Sequence, residues 1–325
     1  MTAVDSEQKP EAAGAAPEEA GPGPAGPQPA AEPAAPAASA APEEDAAQDE
    51  RGNVVVGIGV AVTLLGLLVL GFVAYLYWLS GLQEARAQTG MYANLRAELA
   101  AGLAPLGSAS SGPIPPGSPV AILNISAIGV HNQVVVEGTT PENLTLGPGH
   151  LRSSALPGET GIAVLYGKRV TFGGPFAKIP ELLPGEEIQV TTGQGTSTYV
   201  VKVVGDSRFR ILIDPAPNQL ILLTADSAFA PSHYVEVEAT LTSTPRANPG
   251  GRPAISPAEV ALANDPTALI QCLAWAMALA LVSVGGTYLF VRWSKWPAYL
   301  VTIPIAIAVT WNFYESLAAL LPNLY

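Results

Sequence analysis

The chain of 325 residues has room for one ordinary domain with accessory segments, or two domains at most. Its net charge of −12 is unevenly spread: residues 1–50 hold eleven acidic side chains and one lysine, and the rest of the chain is nearly neutral. No basic stripe or arginine-and-aromatic stretch points to nucleic acid. The single Cys272 excludes an intramolecular disulfide framework and a multi-cysteine metal site. His131, His150 and His233 lack metal-binding spacing, so neither a metal nor any other cofactor is expected.

In chain order, residues 1–52 are Ala, Pro, Gly and acidic residues with almost nothing to bury, which reads as a disordered, solvated tail. Val54 to Leu79 is a run of 26 uncharged residues, long enough to cross a bilayer, and the first transmembrane helix is assigned to residues 53–80. It is too long, and too far behind the tail, for a cleavable signal. Leu82, Met91, Leu95, Leu99 and Leu103 then recur at helical spacing. They predict a stalk helix, which closes with a Ser, Gly and Pro linker within residues 81–118.

Residues 119–243 read as a small β domain. "VAILNI", "QVVVEG", "GIAVLYG", "EIQVTT", "STYVVKVV", "QLILLTA" and "YVEVEATL" are short, β-branched and often alternating, a pattern that favours a barrel or sandwich. A polar linker, residues 244–265, returns the chain to two further apolar runs, assigned as transmembrane helices at 266–292 and 296–314. Residues 315–325 form a short end. Arg292 and Lys295 in the hairpin "RWSKW" place that hairpin, and with it the N-terminus, in the cytoplasm by the positive-inside rule. The β domain then lies outside a multi-pass cytoplasmic-membrane protein. Small residues Gly57, Ala61, Gly66, Gly71, Gly285 and Gly286 suit close helix packing, within the chain or with a separate membrane protein.

The stretch "HNQVVVEGTTPENLTLGPGHLRSSALPGETGIAVLYGKRVTFGGPFAKIPELLPGEEIQV" closely resembles the body of a sortase domain, above all the class E sortases of high-GC Gram-positive bacteria. The resemblance implies an all-β closed barrel outside the cell, and a thiol enzyme that joins a sorting-signal peptide to a cell-wall amine. That chemistry implies a thiolate nucleophile, a histidine acid and an arginine that holds the oxyanion. The family's histidine lies in "GHR", where this chain has Gly167, Lys168 and Arg169. Its cysteine closes "LTTC", where this chain reads "LLTAD" and offers Ala225. Its arginine opens the last strand, where Tyr234 stands.

All three positions are altered, and a methyl group forms no thioester. The expectation is a sortase-like pseudoenzyme with no catalytic residues. Its groove, around Lys168, Arg169, Ala225, Asp226, His233 and Tyr234, is expected to hold an extracytoplasmic peptide, a cell-wall component or a protein partner. The alternatives are an active enzyme with a relocated nucleophile and a structural subunit of a membrane complex. For Lys168 the preferred reading is a buried ion pair with Asp226 or Asp214 across the old groove. His233 enters the groove only if the strand register slips. His150 belongs to "GPGH", outside the family's catalytic set. His131 reads as a surface residue, and Ser153 and Ser154 as serines without a partner base. Cys272 reads as apolar packing.

Overall fold

The computed structural model describes residues 42–106, 112–206, 218–228, 231–292 and 295–325, with side chains from residue 55 onward except Lys295. The acidic tail before residue 42, part of the linker after the stalk, Asp214 and Trp293 fall outside the described residues.

One helical rod opens the described chain. Helix α1, Pro42–Ala74, runs into a single π-helical turn, Tyr75–Leu79, and on into α2, Ser80–Ala101. The helix therefore starts ten residues before the expected boundary at 52, with a proline in its first turn, where a missing N–H costs nothing. At the far end Gly102 takes a left-handed conformation (φ 69°), and its N–H caps the carbonyls of Glu98 and Leu99.

Eight strands close into a barrel in the order β1-β2-β3-β4-β7-β8-β6-β5. They are β1 Pro119–Ile125, β2 Val130–Glu137, β3 Gly149–His150, β4 Gly161–Tyr166, β5 Glu187–Thr192, β6 Gly195–Asp206, β7 Asn218–Ala225 and β8 Tyr234–Leu241. The seven expected strands are present, and the two-residue β3 joins them. It lies parallel to β2 and antiparallel to β4, through pairs such as Val136↔Gly149 and His150↔Leu165. The other parallel pair, β4 with β7, sets Tyr166 beside Leu223.

Alternation divides β4 and β7 between two environments. Ala163 and Leu165 of β4, with Leu220 and Leu222 of β7, enter the barrel interior with Leu123, Ile125, Phe176, Tyr199 and Val237. Val164 and Tyr166, with Ile221, Leu223 and Ala225, face outward and form the floor of a second apolar cluster.

Helices α3, Ala268–Arg292, and α4, Lys295–Ala318, form a hairpin, and Gly286 lets it close: a Cβ there would lie 2.6 Å from Thr302 Cγ2. Three helices, α1 among them, are long and apolar enough to cross a membrane. The rod meets α4 through Tyr75, Leu68 and Phe72, which pack with Trp311 and Tyr314. Tyr314 Oη donates to Leu68 O at 2.7 Å, and Gly71 has no Cβ to obstruct that approach. Within the described chain, Gly66 and Gly285 gain no such neighbour. Cys272 is buried, as packing requires.

The linker expected at 244–265 is fastened to the barrel over its length. Arg252 pairs with the buried Glu159, whose carboxylate also accepts from Leu156 N and Gln194 Nε2. Arg246 exchanges backbone hydrogen bonds with Gly158 and Thr160. A capping box between Ser256 and Glu259 turns the chain. Beyond it, Ala261 and Leu262 lie against the outward face of β4 and β7.

Candidate functional site

The end of β7 and the start of β8 build one corner of the site. Ala225 is the last residue of β7 and pairs directly with Tyr234, the first of β8. The alanine is fully buried in the outer cluster, which Tyr234 flanks. Asp226 closes the turn between the strands: its N–H donates to His233 O, and its Oδ1 accepts the backbone N–H groups of Ser232 and His233 at 3.3 Å each. His233 Nδ1 stands 2.8 Å from Ser232 Oγ and 3.8 Å from Asp226 Oδ2. His233 and Asp226 thus serve the turn.

The second wall follows β4. Gly167 N donates to Leu223 O, which carries the parallel ladder one step past Tyr166 and delivers Lys168 beside the end of β7. A Cβ on Gly167 would lie 2.3 Å from the Phe176 ring, so only glycine lets the chain pass here. Arg169 Nη1 donates to Ala225 O at 3.0 Å.

Lys168 departs from the expected ion pair with Asp226, whereas Asp214 lies outside the described residues. The lysine is 2% exposed, and among the described residues no carboxylate lies within ion-pair distance of its ammonium. The Phe172 ring lies over it, with the ring centroid 5.4 Å from Nζ. Asp226 is engaged by the backbone of its own turn instead. Burial without a counter-ion disfavours the ammonium and pushes the lysine pKa down to about 7.

Phe172 fixes this wall to the helices. Its φ of 51° is a left-handed conformation uncommon for a large side chain, and Ser80 Oγ holds it by accepting Phe172 N at 2.9 Å. The ring stacks edge-on against Tyr75 at a centroid distance of 6.3 Å.

A second constellation, missed from the sequence, lies on β2 and β3. His150 is fully buried, with Nδ1 2.7 Å from Glu137 Oε2 and Nε2 3.1 Å from Ser154 Oγ. Ser154 therefore has an imidazole neighbour, in the spatial order of a hydrolytic triad. Proton placement removes the resemblance. Nε2 is also 2.9 Å from Ala155 O, a carbonyl that only accepts, so Nε2 carries a hydrogen and is no base for the serine. The serine hydroxyl itself donates to Leu151 O and accepts from Val164 N. Only the two-residue β3, with no periodic signal of its own, brings Glu137 and His150 together. His131, by contrast, is exposed.

The groove floor is covered. Leu324 is fully buried against Tyr166, Ala225 and Leu223, with Ala261 and Leu262 beside it. Arg169 N donates to Leu324 O, and Thr171 Oγ1 donates to Tyr325 O at 2.6 Å. Sequence reading placed no residue of the 315–325 end in the site, because a short apolar segment carries no signal of what it packs against. Among the described residues no group of three His, Cys, Asp or Glu side chains is placed to hold a metal.

Residues 123–241 match the family model described as a sortase domain. Among solved structures, the chain is similar to sortase E from Streptomyces avermitilis, with 33% identity over 40% of this chain and 91% of that one, at a TM-score of 0.35. It is similar to sortase E1 from Streptomyces coelicolor with a tripeptide in the active site, at 27% identity, 42% and 95% coverage and a TM-score of 0.35. The Clostridium perfringens sortase D5 transpeptidase gives 21% identity, 49% and 99% coverage and a TM-score of 0.40. No curated protein matches the chain.

Proposed function

This chain belongs to the sortase family through residues 123–241, and on that premise we propose that it is a membrane-anchored pseudoenzyme of the class E type, from an actinobacterium-like cell. Its N-terminus lies in the cytoplasm and its barrel outside, where the groove holds an extended peptide or cell-wall strand without cutting it.

Ala225 carries this reading. It stands at the end of β7, where the nucleophile of a thiol transpeptidase belongs, and a buried methyl accepts no acyl group. Lys168 and Tyr234 stand where the acid and the oxyanion donor belong, so restoring sulfur alone does not restore the reaction. Incubation of the solubilised full chain with a fluorogenic sorting peptide tests this. The expected result is no turnover and no acyl adduct by intact mass, for the natural chain and for Ala225→Cys alike. A covalent adduct on the natural chain sinks the proposal.

Two observations support the other readings. A buried lysine with its pKa near 7, held beside the end of β7, has nucleophilic potential. Turnover that needs no thiol and vanishes in Lys168→Ala would establish a relocated nucleophile. The aromatic contact of Tyr75 with Phe172 and Trp311 ties the barrel wall to the helices, which suits a structural subunit. Purification in mild detergent with a stoichiometric membrane partner, insensitive to groove substitutions, would establish that reading.

A further inference from the structure

We infer that residues Asn323–Tyr325 are a built-in ligand of the barrel groove, and that a ligand supplied in trans must be an extended peptide presenting a carboxamide followed by a large aliphatic side chain. The inference deepens the binding reading above and rests on it for the trans ligand.

The segment is held as a bound peptide is held, by main-chain hydrogen bonds plus side-chain pockets. Asn323 N donates to Ala263 O, and Leu324 O accepts from Arg169 N. Two pockets then read the side chains. The first is a ring of three backbone carbonyls, which share the two hydrogens of Asn323 Nδ2: Thr139 O at 3.2 Å, Ala258 O at 2.6 Å and Val260 O at 3.1 Å. Carbonyl oxygens only accept, so the atom they surround must be the amide nitrogen. Thr139 Oγ1 holds the ring in shape by donating to Glu259 O at 2.8 Å. The second pocket is the outward face of β4 and β7, where Leu324 is fully buried beside Ala225.

This order gives the site its selectivity. A carboxylate in place of the carboxamide would face three carbonyl oxygens with no hydrogen to share, and an aliphatic residue would take the amide donor from Thr139 O and Ala258 O, whereas Val260 O keeps the Ala263 N–H. At the second pocket, Ala225 contributes only a methyl, which leaves room for the leucine. A trans peptide competes with the tethered segment at a high effective concentration, so the natural chain binds free peptide weakly.

The test uses the full chain in mild detergent and a fluorescein-labelled peptide of sequence Leu321–Tyr325, read by anisotropy. Natural protein is expected to show no saturable binding. Asn323→Asp, which expels the segment with an isosteric charge, is expected to bind the peptide at least tenfold more tightly, and adding Ala225→Trp to that variant is expected to abolish binding. A folded Asn323→Asp chain that fails to bind, or natural protein that binds equally well, overturns the inference.

Should Asn323→Asp not fold, hydrogen exchange on the natural chain decides. The Asn323 and Arg169 amides are expected to be protected; excess peptide is expected to expose the Asn323 amide of the displaced segment and to leave Arg169, whose acceptor the peptide replaces, protected. Exchange at the rate of a free peptide overturns the inference, as does a dimer held by exchanged segments. None of these measurements reads turnover. An active chain with a protected segment defeats only the pseudoenzyme reading, whereas an inert chain with an unprotected segment defeats only this one.

Discussion

Two buried polar corners flank β4, and they differ in what each does with its protons. At the Glu137–His150–Ser154 corner every donor meets an acceptor, and the arrangement passes for a catalytic triad until the Ala155 carbonyl is counted. At the Lys168–Ala225–Tyr234 corner a buried lysine has the Phe172 ring 5.4 Å from Nζ and, among the described residues, no carboxylate within ion-pair distance. The histidine corner has the form of a reactive site and is structural. The lysine corner has the form of an inert one and is the place where the family's chemistry belongs. Satisfied hydrogen bonding marks polar groups retained for architecture, whereas a lysine buried without a counter-ion carries a desolvation cost that pH can expose.

The largest effect that sharpens this contrast is the pH dependence of stability. The unfolded chain holds the Lys168 proton up to pH 10.5, and the folded chain releases it near pH 7. Between those values the unfolded state binds more protons, so stability rises with pH, by up to about 5 kcal/mol in all. The thermal midpoint should therefore climb between about pH 7 and 9.5, and Lys168→Met should flatten the climb and be the more stable protein at pH 6. Glu236, its carboxyl raised by burial and by Glu238, acts on the acid side of this window. Tyr166 and Tyr199, pushed up to about 12 by burial, act above pH 10. A natural chain whose midpoint is flat from pH 7 to 9.5 would break the contrast.

Next in size is Glu137→Ala, which strands a buried imidazole. A loss of roughly 3–5 kcal/mol is expected, read as a lower midpoint in chemical denaturation. Phe172→Ala should cost a similar or slightly smaller amount, about 3 kcal/mol, and should loosen the barrel from the helices, seen as faster proteolysis of the 168–176 loop. Ser154→Ala should cost only about 1 kcal/mol and leave peptide binding unchanged, as befits a hydroxyl that bridges two backbone groups and borders an imidazole already bonded to a carbonyl. A loss of any hydrolytic activity in Ser154→Ala would reverse the assignments of the two corners.

Strand periodicity made the barrel legible. The "GIAVLYG" and "QLILLTA" runs have enough β-branched and aliphatic residues to announce β4 and β7, and their alternation assigns each residue to a face. The strand ends were equally legible: Ala225 closes β7 and pairs with Tyr234 at the start of β8, and Lys168 follows β4 by two residues. What escaped was everything set by distant pairing. The proposed pair of Lys168 with Asp226 failed because Asp226 is engaged by the backbone of its own turn, a competition invisible in residue type. Residues 244–265 look like a linker by composition, yet Glu159 captures Arg252 from far along the chain. Leu324 has nothing local to distinguish it from the apolar residues before it.

The π-helical turn at Tyr75–Leu79 sets the rotational phase of the whole rod. One additional residue in a helical turn swings every later side chain by about 100° around the axis. Tyr75 thereby faces α4 while Ser80 faces the Phe172 backbone, and further on Leu95 seats against Ile122 and Val134 of the barrel. Deleting a single residue from this turn would point Leu95 away from its seat and unscrew the barrel from its mount, although every apolar residue of the stalk would still be present.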